Sequence, residues 1–107
     1  RILSRPKKPT AIFASNDEMA AAVIAIADKL NIKVPEELSI AGFDDLTLAS
    51  FVCPPLTTIH QPVEDMAAAA VLRLMEIREN PAEGWQKPTV LNSKFVLRKS
   101  TAAPAAK

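Results

Sequence analysis

Three short polar clusters carry the residues able to do chemistry in this sequence: Ser15-Asn16-Asp17-Glu18, Asp44-Asp45 and His60-Gln61. Each follows a short apolar run. Asn16 offers one carbonyl acceptor and two amide donors, whereas an ionised Asp44 offers acceptors only. Together they suit a neutral ligand with adjacent hydroxyls, which donate to the carboxylate and exchange bonds with the carboxamide. A hydrogen bond to a charged group contributes roughly 1.5–3 kcal/mol, so affinity would depend on Asp44. The same residue types also build turns and helix caps. From position alone, cap and ligand contact both stand as readings of Asn16 and of Asp44.

Catalysis is poorly provided for. No Ser or Cys nucleophile has a base close to it in sequence, two glycines cannot build a phosphate cradle, and no HExxH pattern occurs. Asp44 and Asp45 are adjacent, and adjacent side chains on one turn point apart. The chain is therefore read as a non-enzyme that needs no cofactor. The single His60 and single Cys53 do not make a zinc ligand set. Cys53 can form no internal disulfide and reads as a small apolar filler in a reducing, cytoplasmic compartment.

Formal net charge is +1, with both signs mixed along the 107 residues, which argues against a phosphate-binding groove in this segment. The densest basic run, Arg5-Pro6-Lys7-Lys8-Pro9, reads as a solvated loop. Trp85, in GWQKP, reads as a loop anchor rather than as a ring that stacks on a sugar. The longest uncharged apolar run, MAAAVIAIA, falls short of the ~20 residues of a membrane span, so no membrane partner is expected.

The elements that must position these clusters alternate between strand and helix. Residues Thr10 to Ala14 predict a short buried strand and Asp17 to Leu30 a helix. Ser15 with Glu18 fits a capping box, and Asn31 fits the left-handed residue that closes a helix. Leu38 to Ala41 predicts a second strand, Leu46 to Phe51 a short helix, and Leu56 to Ile59 a third strand. Pro62 opens a long helix from Val63 to about Glu79, with Val63, Met66, Ala67, Ala70, Leu74 and Ile77 on one face. Thr89 to Leu91 and Lys94 to Leu97 are the last strand candidates. The small residues from Ser100 onward predict a tail without packing. Strand–helix alternation implies a parallel sheet wound by crossovers, with ligands collecting at the carboxyl ends of the strands. All three polar clusters fall there. The first helix has no polar face from Met19 to Ala27, which suggests that it is covered on two sides.

Taken in order, PTAIFASNDEMA, VPEELSIAGFDD, PPLTTIHQP and the closing FVLRKST resemble the carboxyl-terminal part of the LacI/GalR family of bacterial transcription regulators. The resemblance covers nearly the whole chain; Phe43 stands where the commoner form has Tyr. It implies an α/β periplasmic-binding-protein-like fold, a parallel sheet flanked by helices, with elements from both lobes of an effector-binding core over residues 1–98 and a flexible tail over 99–107. It implies a ligand-responsive regulator, a repressor, that senses a small-molecule effector: first a sugar or sugar derivative, second a nucleoside or nucleobase. Operator DNA would be bound through a headpiece lying outside these residues. By position Asn16 and Asp44 match the family's effector contacts, Gln61 borders the cleft, and Asp45 is a cap; Ser15 and Glu18 would then cap the helix. The family's homodimer interface implies that Met19, Val23, Ile24 and Ala27, with Leu46 and Phe51, lie at or beside a two-fold contact. The helix at 63–80 would pack on the first lobe, most of which is not among these residues. A sugar-binding protein of an uptake system shares the lobed fold and is the alternative reading.

Overall fold

The computed structural model of the chain describes residues 2–3, 8–84 and 88–104. Most of the basic run (Arg5, Pro6 and Lys7), Trp85 and the last three residues of the tail lie outside the described residues. The chain divides into two compact units, one running to His60 and resuming at Phe95, the other spanning Gln61–Lys94.

The first unit is built on short parallel strands. β1 (Ala11–Phe13) pairs in parallel with β2 (Ser39–Ala41), in the register Ala11↔Ser39, Ile12↔Ile40 and Phe13↔Ala41. Beyond β2 the chain keeps a parallel path beside β3 (Thr58–His60), through bridges at Ala41↔Thr57 and Asp44↔His60. β4 (Lys94–Val96) lies against β3. The fold is α/β with a parallel sheet, and the crossover between β1 and β2 is α1 (Asp17–Lys29).

The sequence explains how α1 starts, stops and faces. Asn16 is its N-cap, extended at φ −153°, and its Oδ1 accepts from the Met19 N–H at 2.8 Å. The expected capping box is not used. Because the helix begins at Asp17, the third helical N–H belongs to Met19, and Asn caps as well as Ser. Ser15 Oγ instead lies 3.1 Å from Met19 Sδ. At the other end Asn31 takes φ 54°, Ile32 N–H reaches back to Ala27 O and Asn31 N–H to Asp28 O, both at 2.9 Å. These are the two bonds of a Schellman motif, as Asn31 predicts.

Asp17, Ala20, Ile24 and Ala27 form the buried face of α1, against a core that includes Leu38, Ile40 and Leu56. Met19, Ile26 and Leu30 point outward and are about half exposed. Ile24 and Ala27 are therefore packed inside their own chain, and Val23 packs at the edge of the same core. Ile24 and Ala27, expected at or beside a two-fold contact, fall in the sheet-facing row 17, 20, 24, 27 that the helical period sets within their own chain. Leu46 and Phe51 are exposed, Phe51 at 82% in α2 (Leu48–Phe51). Cys53 is exposed too, not a buried filler.

The segment after β4 is not a loose tail. Ser100 is fully buried; its Oγ donates to Ile40 O at 2.6 Å and accepts from Thr57 N–H at 2.8 Å. Its carbonyl accepts from Ile40 N–H, and Ala102 N–H donates to Ser39 Oγ at 3.0 Å. Small residues fit here because the backbone lies directly against β2.

In the second unit, α3 (Val63–Glu79) is followed by a single turn, α4 (Pro81–Gly84). No residue of α3 is buried, and Val63, Val71, Leu72 and Leu74 are all more than half exposed. The expected strand at Thr89–Leu91 does not form; residues 88–93 carry no regular structure and Val90 is exposed. No helix of the described residues is long and apolar enough to cross a membrane.

Candidate functional site

The carboxyl ends of β1, β2 and β3 form one rim. Phe13 pairs with Ala41, and Asn16 and Asp44 each follow their strand by three residues. Asp44 is itself bridged to His60. Adjacent parallel strands are about 4.8 Å apart, so Asp44 stands beside His60 at the end of β3, and Asn16 and Asp44 hold equivalent places on the loops that follow β1 and β2. Asn16 and Asp44 are both half-buried, and His60 is exposed.

Asn16 does two things. Its Oδ1 caps α1, while its carboxamide nitrogen has no hydrogen-bond partner among the described residues. Cap and ligand contact are thus compatible rather than alternatives. Asp44 sits at φ 105° and Asp45 at φ 55°. Backbone of this kind costs of order 1–3 kcal/mol per residue and persists only where the surroundings enforce it. Here the Asp44 N–H donates to Ile59 O at 2.9 Å.

Asp45 is not a cap. Its Oδ1 accepts from Arg98 Nη2 at 2.7 Å, and its Oδ2 lies 3.1 Å from His60 Nδ1, which donates when that nitrogen carries the proton. Burial by itself raises the Asp45 carboxyl, but the hydrogen bond and charge of Arg98, then those of His60, outweigh it and hold it below the ordinary aspartate value. Arg98 was not legible as a site-supporting residue in FVLRKST, since nothing local marks one arginine just past a strand as the partner of an acid 53 positions earlier.

Asp17 is the other residue that sequence reading undervalued. It is fully buried, accepting from Thr58 Oγ1 at 2.5 Å through Oδ1 and from Leu46 N–H at 2.7 Å through Oδ2. One carboxyl group therefore ties the start of α1 to β3 and to the loop that carries Asp44. Gly42 makes room for it: a Cβ there would fall 2.3 Å from Asp17 Oδ1 and 2.9 Å from Leu56 Cδ2. Gln61, the third expected ligand contact, is half-buried and opens the second unit. A separate cleft of about 370 Å³ lies at the far end of α1, lined in part by Asp28, Lys33, Val34 and Cys53. The described residues hold no cluster of three metal-ligating side chains.

A model of the periplasmic binding protein-like domain matches residues 1–101. The chain belongs to that family. Within it, the chain is part of the effector-binding core of a LacI/GalR-type regulator. The transcriptional repressor PurR of Photobacterium profundum is 40% identical over 93 residues, 87% of this chain and 28% of that protein. The ribose operon repressor of Escherichia coli is 42% identical over 71 residues, 66% of this chain and 22% of that protein. A lac repressor dimer bound to operator and the anti-inducer ONPF superposes with a TM-score of 0.79 at 30% identity, over 89% of this chain and 32% of that one. These LacI/GalR relatives are transcriptional regulators rather than enzymes, and the chain spans less than a third of their length.

Proposed function

We propose that the chain is the sensing and pairing part of a ligand-responsive transcriptional repressor, and that its rim grips a small polyhydroxylated effector, a sugar or sugar derivative. Nucleosides and nucleobases come second. One observation carries the reading: a carboxamide with two uncommitted N–H donors and a carboxylate occupy matched positions at the ends of paired parallel strands. Asn16 donates to a hydroxyl oxygen of the effector, and Asp44 accepts from neighbouring hydroxyls. The ribose operon repressor among the relatives favours a sugar over other neutral ligands. Operator DNA is assigned to a separate headpiece, and the protein works as a homodimer in a cytoplasmic compartment. Its two-fold contact draws on Met19, Leu46 and Phe51, which are exposed, and not on the buried Ile24 and Ala27. Gln61 is not included in the proposed grip.

The test is a thermal-shift screen of the complete gene product against D-ribose, D-galactose, D-glucose and adenosine, followed by operator affinity with and without any compound that raises the melting temperature. A sugar that shifts both melting and operator affinity supports the reading. Stabilisation by none of the sugars contradicts the sugar assignment.

A further inference from the structure

The loop that presents Asp44 is held by groups that would not touch an effector. From Gly42 to Leu46 the backbone passes through two consecutive non-glycine residues at positive φ, 105° and 55°. Such a conformation relaxes unless contacts fix it. Its backbone is fixed by the Asp44 N–H on Ile59 O at 2.9 Å and by the Leu46 N–H on Asp17 Oδ2 at 2.7 Å. Between these two points the Asp45 carboxylate takes hold of Arg98 and His60.

Arg98 is the stronger of the two anchors because it is itself fixed on three sides. Its backbone N–H donates to Thr57 Oγ1 at 3.0 Å, Nη1 donates to Leu56 O at 2.9 Å, and Nη2 donates to Asp45 Oδ1 at 2.7 Å. The ion pair is largely shielded, with side-chain exposures of 19% and 18%, whereas the His60 side chain is 51% exposed. A planar guanidinium spans the Leu56 carbonyl on one side and a carboxylate on the other. The point charge of a lysine cannot hold both directions at once.

We infer that Arg98 is a positioning residue of the rim: through Asp45 it locks the Gly42–Leu46 loop in the conformation that presents Asp44, and so sets effector affinity without touching effector. The affinity half of this inference rests on the proposed role of Asp44; the loop half rests on geometry alone. Without the anchor, the pair of positive-φ residues relaxes and carries Asp44 out of line with Asn16.

The experiment compares the complete gene product with its Arg98→Met, Arg98→Lys and Asp44→Asn variants. Amide hydrogen exchange is read at residues 44–46 and in the core at Ile24 and Ile40, and D-ribose affinity is read by calorimetry. Local opening makes exchange at 44–46 faster by about tenfold or more in Arg98→Met while the core amides keep their rates. Arg98→Lys falls between Met and wild type in both exchange and affinity, and it decides the matter if Arg98→Met does not fold. Unchanged exchange at 44–46, or an equal rise in the core, overturns the inference. Asp44→Asn should leave exchange at 45 and 46 near wild type and weaken D-ribose binding by about tenfold or more. Absence of D-ribose binding in the wild type, or wild-type binding by Asp44→Asn, contradicts the effector reading for that sugar and removes the affinity half; the exchange result still decides the loop half.

Discussion

At the scale of single residues, the rim is organised by two aspartates that are not proposed to meet a ligand. Asp17 uses both of its oxygens inside the fold, and Gly42 exists where it does because of that carboxyl group. Gly42→Ala places a methyl 2.3 Å from Asp17 Oδ1, so the Asp17–Thr58 or Asp17–Leu46 bond must give way. Overpacking of this kind costs about 1–3 kcal/mol; chemical denaturation should show that loss, and a midpoint unchanged from wild type would contradict the placement of Asp17. Asp45 makes a prediction about acid. Its folded-state value is depressed by Arg98 and His60 beyond what burial raises it, so its contribution is fully present above the unfolded-state value and is lost as pH falls through the folded one. The melting difference between wild type and Asp45→Asn should therefore shrink as pH falls below about 4. A difference that grows on acidification would reverse the sign and exclude the pairing. Neither aspartate's role was legible in the chain. Asp17 reads locally as a first-turn acid and Asp45 as a cap, because their partners lie 15 to 53 positions away.

At the scale of elements, what the sequence makes legible is what depends on neighbours a few positions apart. The start of α1 at Asp17 and its closure at Asn31 follow from capping chemistry, and both hold. The identity of the cap does not follow, since Ser15, Asn16 and Asp17 are all competent caps and only the first helical residue chooses among them. Periodicity alone also failed to tell the core row of α1 from its outer row, because both are apolar. The clearest miss is the segment from Ser100. Its composition reads as unpacked, yet Ser100 bonds to β2 and to the start of β3 at once. Ser100→Ala leaves the Thr57 N–H buried without its acceptor, which costs about 1–3 kcal/mol. Equilibrium unfolding in urea measures it; a loss below a few tenths of a kcal/mol would mean that the segment contributes little to the sheet.

At the scale of the whole molecule, the surface left apolar is the informative part. α1 and α2 expose Met19, Ile26, Leu30 and Phe51, a combination that favours association with a second copy. Ile26→Glu should dissociate the proposed homodimer of the complete gene product at micromolar concentration, as read by sedimentation, without lowering the melting temperature of the subunit's own fold. Ile24→Glu should instead unfold it, because Ile24 is 6% exposed within its own chain. A dimer untouched by Ile26→Glu would move the interface elsewhere. The exposed apolar surface of α3 is proposed to be covered by further polypeptide of the same protein.

The most direct measurement is a double-mutant cycle on effector binding in the complete gene product, using Asn16→Ser, which keeps a side-chain acceptor for the cap, and Asp44→Asn. Titrated with the sugar that stabilises the wild type most, each single variant should lose about tenfold or more in affinity, and the two losses should couple by about 0.5 kcal/mol or more because both groups hold one molecule. Wild-type affinity in both single variants would contradict a rim that grips its effector from two loops.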